Sequence, residues 1–188
     1  MLGINTIRSK IIPYLYKNLK CEKPFWIGSD VILLCEGKIS LGSNCVLSNH
    51  SRIICYEGGE ISVGKNSPVG WGCLIAAHKR IIIGNDVLMG ELVSIRDHDH
   101  RFVYSKKPFR LQDNVLDPVV IGNNVWIAAK VTITAGVVIG DNCVIGANAV
   151  VTHSIPANSI ATGIPATVRG TIPEDKGSDD SLVKTDNS

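Results

Sequence analysis

Hydrophobic residues recur at every sixth position through the C-terminal half of the chain. From residue 121 the sequence divides into six hexads, which read IGNNVW, IAAKVT, ITAGVV, IGDNCV, IGANAV and VTHSIP. An aliphatic residue opens each hexad, and a small or aliphatic residue stands at its fifth position. An α-helix needs a spacing near 3.6 residues and a half-exposed strand needs a spacing of two, so neither element explains the pattern.

A sustained period of this kind predicts a solenoid. We expect short strands whose first side chain points inward and stacks on its equivalent in the next coil. Three hexads would make one triangular coil, and successive coils would lie about 4.8 Å apart, as strands do in any sheet. Gly122, Gly140 and Gly146, together with the asparagines at the turns, are predicted to take positive φ.

The same pattern continues upstream in a less regular form. Ile27, Leu41, Val63 and Ile83 each stand before a glycine and open a hexad, and their uneven spacing predicts small insertions at the corners. The hexads stop between Ile95 and Val119. The sequence therefore predicts an all-β solenoid domain over residues 25–170, with one large loop inserted at about residues 96–118.

Both ends of the chain lie outside the repeat. Four aliphatic residues at helical spacing predict a short N-terminal helical cap over residues 1–24, which would cover the first open coil. A basic helix in weak peripheral association with a membrane surface is the alternative for this segment. Residues 171–188 have few apolar groups and many charges, and this composition predicts a disordered tail.

The composition adds limits on location and partners. The chain has 188 residues, 45% of them apolar, and a net charge of +2, which gives no argument for binding nucleic acid. No apolar run is long enough for a signal peptide or a membrane span. The six cysteines include no CxxC pair, and we interpret them as reduced thiols in a cytoplasmic protein.

The predicted loop contains the stretch SIRDHDHRF, in which His98 and His100 alternate with Asp97 and Asp99. A neutral imidazole is available near neutral pH and can act as a general base. In an extended segment His98 and His100 would share one side, and Asp99 would point to the other. Taken alone, each of these side chains is most simply a solvated loop residue.

The C-terminal repeats resemble a known family. The run NNVWIAAKVTITAGVVIGDNCVIGANAVVT, followed by ATGIPATVRG, is similar to the hexapeptide-repeat acyltransferases, above all the galactoside, maltose and nodulation-factor O-acetyltransferases and their polysaccharide-modifying relatives. The resemblance covers roughly residues 27–170. It implies a left-handed parallel β-helix, a homotrimer with active sites between subunits, and acetyl-CoA as the donor. The implied acceptor is a carbohydrate hydroxyl on a saccharide, a nucleotide sugar or a surface-polysaccharide unit.

The resemblance also implies roles for residues of the loop and the coils. It implies that a histidine of the inserted loop is the general base, and counting from the preceding Ile-Gly pair favours His100 as that catalytic residue. His98 and Asp99 are then substrate-binding candidates, and Trp126 would border the pocket for acceptor and thioester. Trp71 lies where galactoside-type relatives carry an asparagine, so we expect a different acceptor, on whose sugar ring this indole could stack.

Small residues along the last coils match positions that accommodate CoA in the family. They are Ala129, Ala147 and Thr152, and the resemblance adds Arg169 as a partner for a CoA phosphate. Relatives often carry a basic residue where this chain has Thr167, and a lysine where it has His153, which weakens the predicted phosphate contacts.

Three alternatives stay open at this point. An antibiotic or amino-sugar acetyltransferase of the same fold would need the same base, and a non-catalytic scaffold subunit would need none. A zinc site built from His98, His100 and His78, as in γ-type carbonic anhydrases, would leave the coenzyme-like C-terminal segment without a purpose. We therefore expect no metal.

Overall fold

Short parallel strands form the three flat faces of a triangular prism in the computed structural model, which describes residues 17–173. We number the strands β1–β21 along the chain. Face one consists of β1 (Leu19–Cys21), β4 (Lys38–Leu41), β7 (Glu60–Val63), β9 (Ile81–Ile83), β14 (Val119–Ile121) and β17 (Val138–Ile139). Face two consists of β2 (Phe25–Ile27), β5 (Cys45–Leu47), β10 (Leu88–Met89), β15 (Trp126–Ile127), β18 (Val144–Ile145) and β20 (Ser159–Gly163). Face three consists of β3 (Ile32–Cys35), β6 (Arg52–Cys55), β8 (Leu74–Ala77), β11 (Ser94–Arg96), β16 (Thr132–Ile133) and β19 (Val150–Val151).

The length of each coil explains why the repeat is regular only in its C-terminal part. Ile121 pairs with Ile139 eighteen residues later, so each late coil holds three hexads. In the early coils, Leu19 pairs with Ile39 and Ile39 with Ile61, at separations of twenty and twenty-two residues. The additional residues make the spacing of the aliphatic positions irregular in the sequence, while the inward side chains still stack on one another in the structure.

The core is a set of aliphatic columns inside the prism. On face one, for example, Ile39, Ile61 and Ile81 lie directly above one another in adjacent strands, and each is at most 1% exposed. Burying such side chains yields about 1.5–3 kcal/mol each relative to exposure. The core therefore needs few aromatic residues, because stacked aliphatic groups fill the interior.

The corners between faces one and two carry a ladder of side-chain amides. Asn44, Asn66, Asn124 and Asn142 all adopt positive φ, between 52° and 59°. The amide of Asn44 donates to Asn66 at 2.9 Å, and that of Asn124 donates to Asn142 at 2.8 Å. Asparagine tolerates the left-handed conformation and also joins one coil to the next.

The prediction of positive φ at Gly122, Gly140 and Gly146 is wrong. None of the three lies in the left-handed region; the asparagines carry that conformation. These glycines instead permit close contact between coils, because a Cβ at Gly140 would lie 2.5 Å from the backbone nitrogen of Ala157 and one at Gly146 would lie 2.6 Å from Thr162.

Two predicted boundaries need correction. The helical cap was expected over residues 1–24, but Leu19–Cys21 is a strand that pairs with Ile39–Leu41, and Leu19 is buried. Helical spacing ends at residue 15, so nothing in the pattern favours helix beyond it; residues 1–16 lie outside the described part of the chain. The disordered tail was expected from residue 171, but β21 (Ala166–Thr171) folds back antiparallel on β20 and includes Thr171. The tail prediction beyond residue 173 likewise falls outside the described residues.

A large loop leaves the prism at the corner between faces three and one. The chain departs after Arg96 and rejoins face one at Val119. Within this loop, β12 (His98–His100) and β13 (Asn114–Leu116) form an antiparallel pair, followed outward by a 3-10 helix at Phe109–Leu111. Among the described residues no helix is long and apolar enough to cross a membrane.

Candidate functional site

Asp97 is the buried residue at which the loop begins. Its side chain is fully buried, at 0% exposure. One carboxylate oxygen accepts the backbone N–H of His78 at 2.9 Å, and the other accepts those of Lys79 and Arg80 at 2.7 and 2.6 Å. A buried carboxylate is tolerated because hydrogen bonds replace its hydration. Asp97 thus fastens the root of the loop to the turn of the preceding coil.

The same carboxylate holds His98. Nδ1 of His98 lies 3.1 Å from Oδ1 of Asp97. Because an ionised carboxylate only accepts hydrogen bonds, Nδ1 carries the proton and donates it. In a neutral imidazole of this tautomer, Nε2 is the unprotonated nitrogen and can accept a proton. A carboxylate that sets the tautomer of an imidazole is the arrangement a general base requires.

Two further rings lie beside His98 at this corner. His78 contacts it edge to face, with ring centroids 4.4 Å apart and an interplanar angle of 80°. Tyr56 stacks flat on His78 at 3.9 Å and 9°. Burial lowers the pKa of His78 from 6.5, the adjacent His98 lowers it further, and Asp97 opposes both effects. His78 is therefore a neutral ring at pH 7.

His100 and Asp99 lie further out along the same strand. Both are exposed, and they pair with Asn114 and Val115 across the loop hairpin. The structure therefore brings His98, Asp97 and His78 together and leaves His100 on the outer side of this cluster. His100 as the base stays a prediction.

The two predicted tryptophans lie away from this corner. Trp126 is on the outer side of face two, 51% exposed, in register with Leu88 and Val144. It borders a groove of about 270 Å³ that Asn124 and Ile172 also line. The corner that carries His98 lies opposite face two in a three-sided prism. One chain alone therefore does not place Trp126 beside His98.

Trp71 lies at the corner between faces two and three, in one column with two of the predicted CoA residues. Backbone hydrogen bonds of 2.8–2.9 Å link the column from coil to coil. Each acceptor is a carbonyl of the column, that of Trp71, Glu91 or Ala129. Its donor is the N–H of the residue that directly follows Glu91, Ala129 or Ala147, respectively. Trp71 is 49% exposed, and its ring lies 5.4 Å from that of His50. Glu91, between the indole and the two alanines, was not predicted, since no motif marks it.

The two remaining predicted CoA residues lie elsewhere. Thr152 follows β19 at the corner between faces three and one, and its hydroxyl is 2.9 Å from Nδ1 of His153. Arg169 is exposed on β21. The fold thus places Trp71, Ala129 and Ala147 in one column, and a single chain holds Thr152 and Arg169 apart from it.

Sequence reasoning placed neither His78 nor Tyr56 in the acyltransferase site. His78 entered only as a third zinc ligand, and Tyr56 did not enter at all. The sequence offers one signal for both residues, which is their position in the coil: each directly follows a face-three strand. Among residues 17–173, no group of three or more His, Cys, Asp or Glu side chains is arranged to hold a metal ion.

Comparison with known proteins agrees with this description. The family model for bacterial transferase hexapeptide (six repeats) matches residues 118–153. WbbJ of Escherichia coli (strain K12), named as a lipopolysaccharide biosynthesis O-acetyl transferase, is 33% identical over 140 residues, which make up 71% of either chain. Nodulation protein L of Rhizobium meliloti is 36% identical over 139 residues, or 74% of either chain.

Solved structures extend the match over most of the chain. A maltose O-acetyltransferase from Clostridium difficile superposes with a TM-score of 0.57 at 25% identity, over 93% of this chain and 79% of that one. The N-acyltransferase AntD of Bacillus cereus, in complex with dTDP and 3-hydroxybutyryl-CoA, gives a TM-score of 0.76 over 87% and 88% of the two chains. At 16% identity this second match bears on the fold alone.

The stacked parallel coils and the hexapeptide match together define a left-handed parallel β-helix transferase, which confirms the predicted architecture. The chain belongs to the bacterial hexapeptide-repeat transferase family and is an acetyltransferase of that family. The prediction of an enzyme is thereby confirmed over that of a non-catalytic scaffold.

Proposed function

We propose that this protein is an acetyl-CoA-dependent O-acetyltransferase that acetylates a hydroxyl of a carbohydrate. The observation that carries the proposal is the imidazole of His98, held by a buried carboxylate at the root of the loop on a hexapeptide-repeat prism. The names of WbbJ and of the maltose enzyme, both O-acetyl transferases, favour the same reaction and a sugar acceptor.

In this reaction Nε2 of His98 takes the proton of the acceptor hydroxyl as its oxygen attacks the thioester carbonyl carbon. A tetrahedral intermediate forms and collapses, the carbon–sulfur bond breaks, and CoA leaves as its thiol after receiving the proton from the imidazolium. Asp97 stabilises the positive charge on His98 while the proton resides there. A positioned general base supplies about 10²–10⁴-fold in rate.

We favour His98 over His100 as the base because of orientation. His98 has a carboxylate partner at 3.1 Å and ring contacts on another side, whereas His100 is exposed on the hairpin. A base gains rate only when it is held in reach of the proton it removes. His100, further out on the same side of the hairpin strand, then contacts the acceptor as a substrate-binding residue, and Asp99 stays a substrate-binding candidate on the opposite side.

We further propose that the working enzyme is a homotrimer with its sites between subunits. Within one chain, the corner carrying His98 and Thr152 is separated by face three from the column of Trp71, Ala129 and Ala147. If prisms pack side by side, the corner that carries His98 in one copy would lie against the column of Trp71, Ala129 and Ala147 in another. One CoA could then contact both sets of predicted residues, with Arg169 on a phosphate and Trp126 bordering the groove.

The proposed column also orders the two substrates along the prism. The small side chains of Ala129 and Ala147 leave room for the pantetheine arm, and Trp71 lies two coils nearer the N-terminus. An indole face of this kind stacks well on the apolar side of a sugar ring. The acceptor would thus bind at the Trp71 end and the donor at the alanine end.

The cytoplasmic location of the protein stays a prediction.

The test is release of CoA thiol from acetyl-CoA over a panel of saccharides, nucleotide sugars, amino sugars and antibiotics with free hydroxyls. With the true acceptor, H98A should lower kcat by about 10²–10⁴-fold, while H100A should act mainly on KM. The opposite result would return the role of base to His100. Turnover only with amines or antibiotics would establish the alternative acceptor class. Equilibrium sedimentation tests the trimer, and a monomer with full activity would refute the shared site.

A further inference from the structure

His78 and Tyr56 form a ring pair that the proposed reaction does not use directly. Tyr56, His78 and His98 come from three successive coils at one corner of the prism, each shortly after a face-three strand. The first two rings are parallel at 3.9 Å, and the third meets His78 at nearly a right angle. Tyr56 is also edge-on to His98 at 6.2 Å and 89°. The three rings are thus one packed unit.

One carboxylate oxygen links this unit to the proposed base. Oδ1 of Asp97 accepts the backbone N–H of His78 and also faces Nδ1 of His98. The carboxylate therefore fixes the nitrogen on one edge of the His98 ring and, at the same time, the backbone of the residue whose ring lies beside it. A hydrogen bond alone allows the imidazole to turn about the bond, and the adjacent ring removes that freedom.

We propose that His78, supported by Tyr56, is a positioning residue that fixes the ring plane of His98 and keeps its Nε2 directed at the acceptor hydroxyl. This inference rests on the proposed role of His98 as the base. His78 touches neither substrate in this proposal and acts through His98 alone.

The electrostatics of the corner agree with a neutral supporting ring. Burial and the neighbouring His98 lower the pKa of His78, which favours its neutral form. The charged groups next to His78 are Asp97, which is occupied by backbone N–H groups, and Lys79 and Arg80. Lys79 reaches the carbonyl of Leu116 at 3.5 Å, and Arg80 pairs with Glu60 at 3.4 Å, so neither cation is directed at the ring.

The experiment compares three variants in the full-length enzyme: H78A, which removes the ring; H78F, which keeps a ring of similar shape; and Y56A, which removes its support. E57A, an exposed substitution at the same corner, is the matched control. We expect H78A and Y56A to lower kcat at least tenfold with KM for acetyl-CoA changed less than twofold. H78F should recover most of kcat, and E57A should match the wild type.

A second readout needs no turnover. Long-range ¹H–¹⁵N spectra of the imidazole nitrogens report the tautomer and the exchange of His98. The wild type and H78F should show protonated Nδ1 and bare Nε2 for His98, and H78A should show an averaged, exchanging ring. If H78A keeps the single tautomer and normal kcat, the positioning role is refuted.

The two readouts separate this inference from the proposed function. If H98A is fully active, His98 is not the base, but the spectra still decide whether His78 orders its ring. If H78F is as inactive as H78A although both bind acetyl-CoA and unfold like the wild type, a ring nitrogen rather than the ring plane is required. That outcome would overturn the inference as stated.

Discussion

Replacing Asp97 by asparagine tests the structure and the site at once. The substitution keeps the shape of the side chain but turns one acceptor oxygen into an NH₂ group. If Oδ1 keeps its bonds to His78 and His98, the new NH₂ faces the backbone N–H groups of Lys79 and Arg80. Two backbone donors that face this buried side chain then lose their acceptor. A donor left without a partner costs about 1–3 kcal/mol, so we expect D97N to lower the free energy of unfolding by about 2–6 kcal/mol.

The effect on activity has a separate cause. The amide oxygen of D97N can still accept a hydrogen bond from Nδ1 of His98, but a neutral amide no longer stabilises the imidazolium that forms during proton transfer. We expect kcat to fall about 10- to 100-fold, which is part of the factor of about 10²–10⁴ that a positioned base supplies. Urea unfolding at fixed protein concentration measures the first effect, and thiol release measures the second.

Asp113 provides the control, since it is exposed in the same loop and its side chain forms no hydrogen bond or ion pair within residues 17–173. D113N should lie within about 0.5 kcal/mol of the wild type. If D97N were as stable as D113N and equally active, the carboxylate would neither hold the loop nor act on His98. Loss of stability with unchanged kcat would refute only the catalytic part.

Other consequences concern packing and titration. A Cβ at Gly70 would clash with the carbonyl oxygen of Gly90, whereas one at Gly170 would meet nothing within 4 Å; G70A should therefore cost about 1–3 kcal/mol in urea unfolding and G170A almost nothing, and equal midpoints would contradict the coil contact. Burial raises the pKa of Cys21 to about 12 from 9.0, so above pH 9 the unfolded chain releases a proton that the folded chain keeps. Stability should fall as pH rises from about 9 towards 12, and by less in C21A; parallel curves for the two proteins would be evidence against the burial. The lowered pKa of His78 acts in the opposite direction, because below its ordinary value of 6.5 the unfolded state binds a proton that the folded state does not. The wild type should lose stability relative to H78F as pH falls below about 6.5 and show no such loss above it, which urea midpoints at pH 7.5 and 5.5 will decide.

Much of the fold was predictable because the information is local and repeated. A side chain such as Ile121 needs only its own place in the hexad to point inward, and the next coil supplies its neighbour, Ile139. The loop was predictable for the same reason, as a break in a period. The turns were predicted less well. Gly122 is required because the backbone of a neighbouring coil lies too close for a Cβ, and the distance between two coils cannot be inferred from the sequence of one.

The candidate site shows more clearly what could not be predicted from the sequence. Order along the chain is enough to predict two histidines in a loop that interrupts a solenoid of aliphatic columns. The burial of Asp97 against His78 of the preceding coil, and its contact with His98 rather than His100, follow from the stacking of the coils. Stacking makes neighbours of residues about twenty positions apart, and hydrogen-bond partners at that separation leave no period in the sequence.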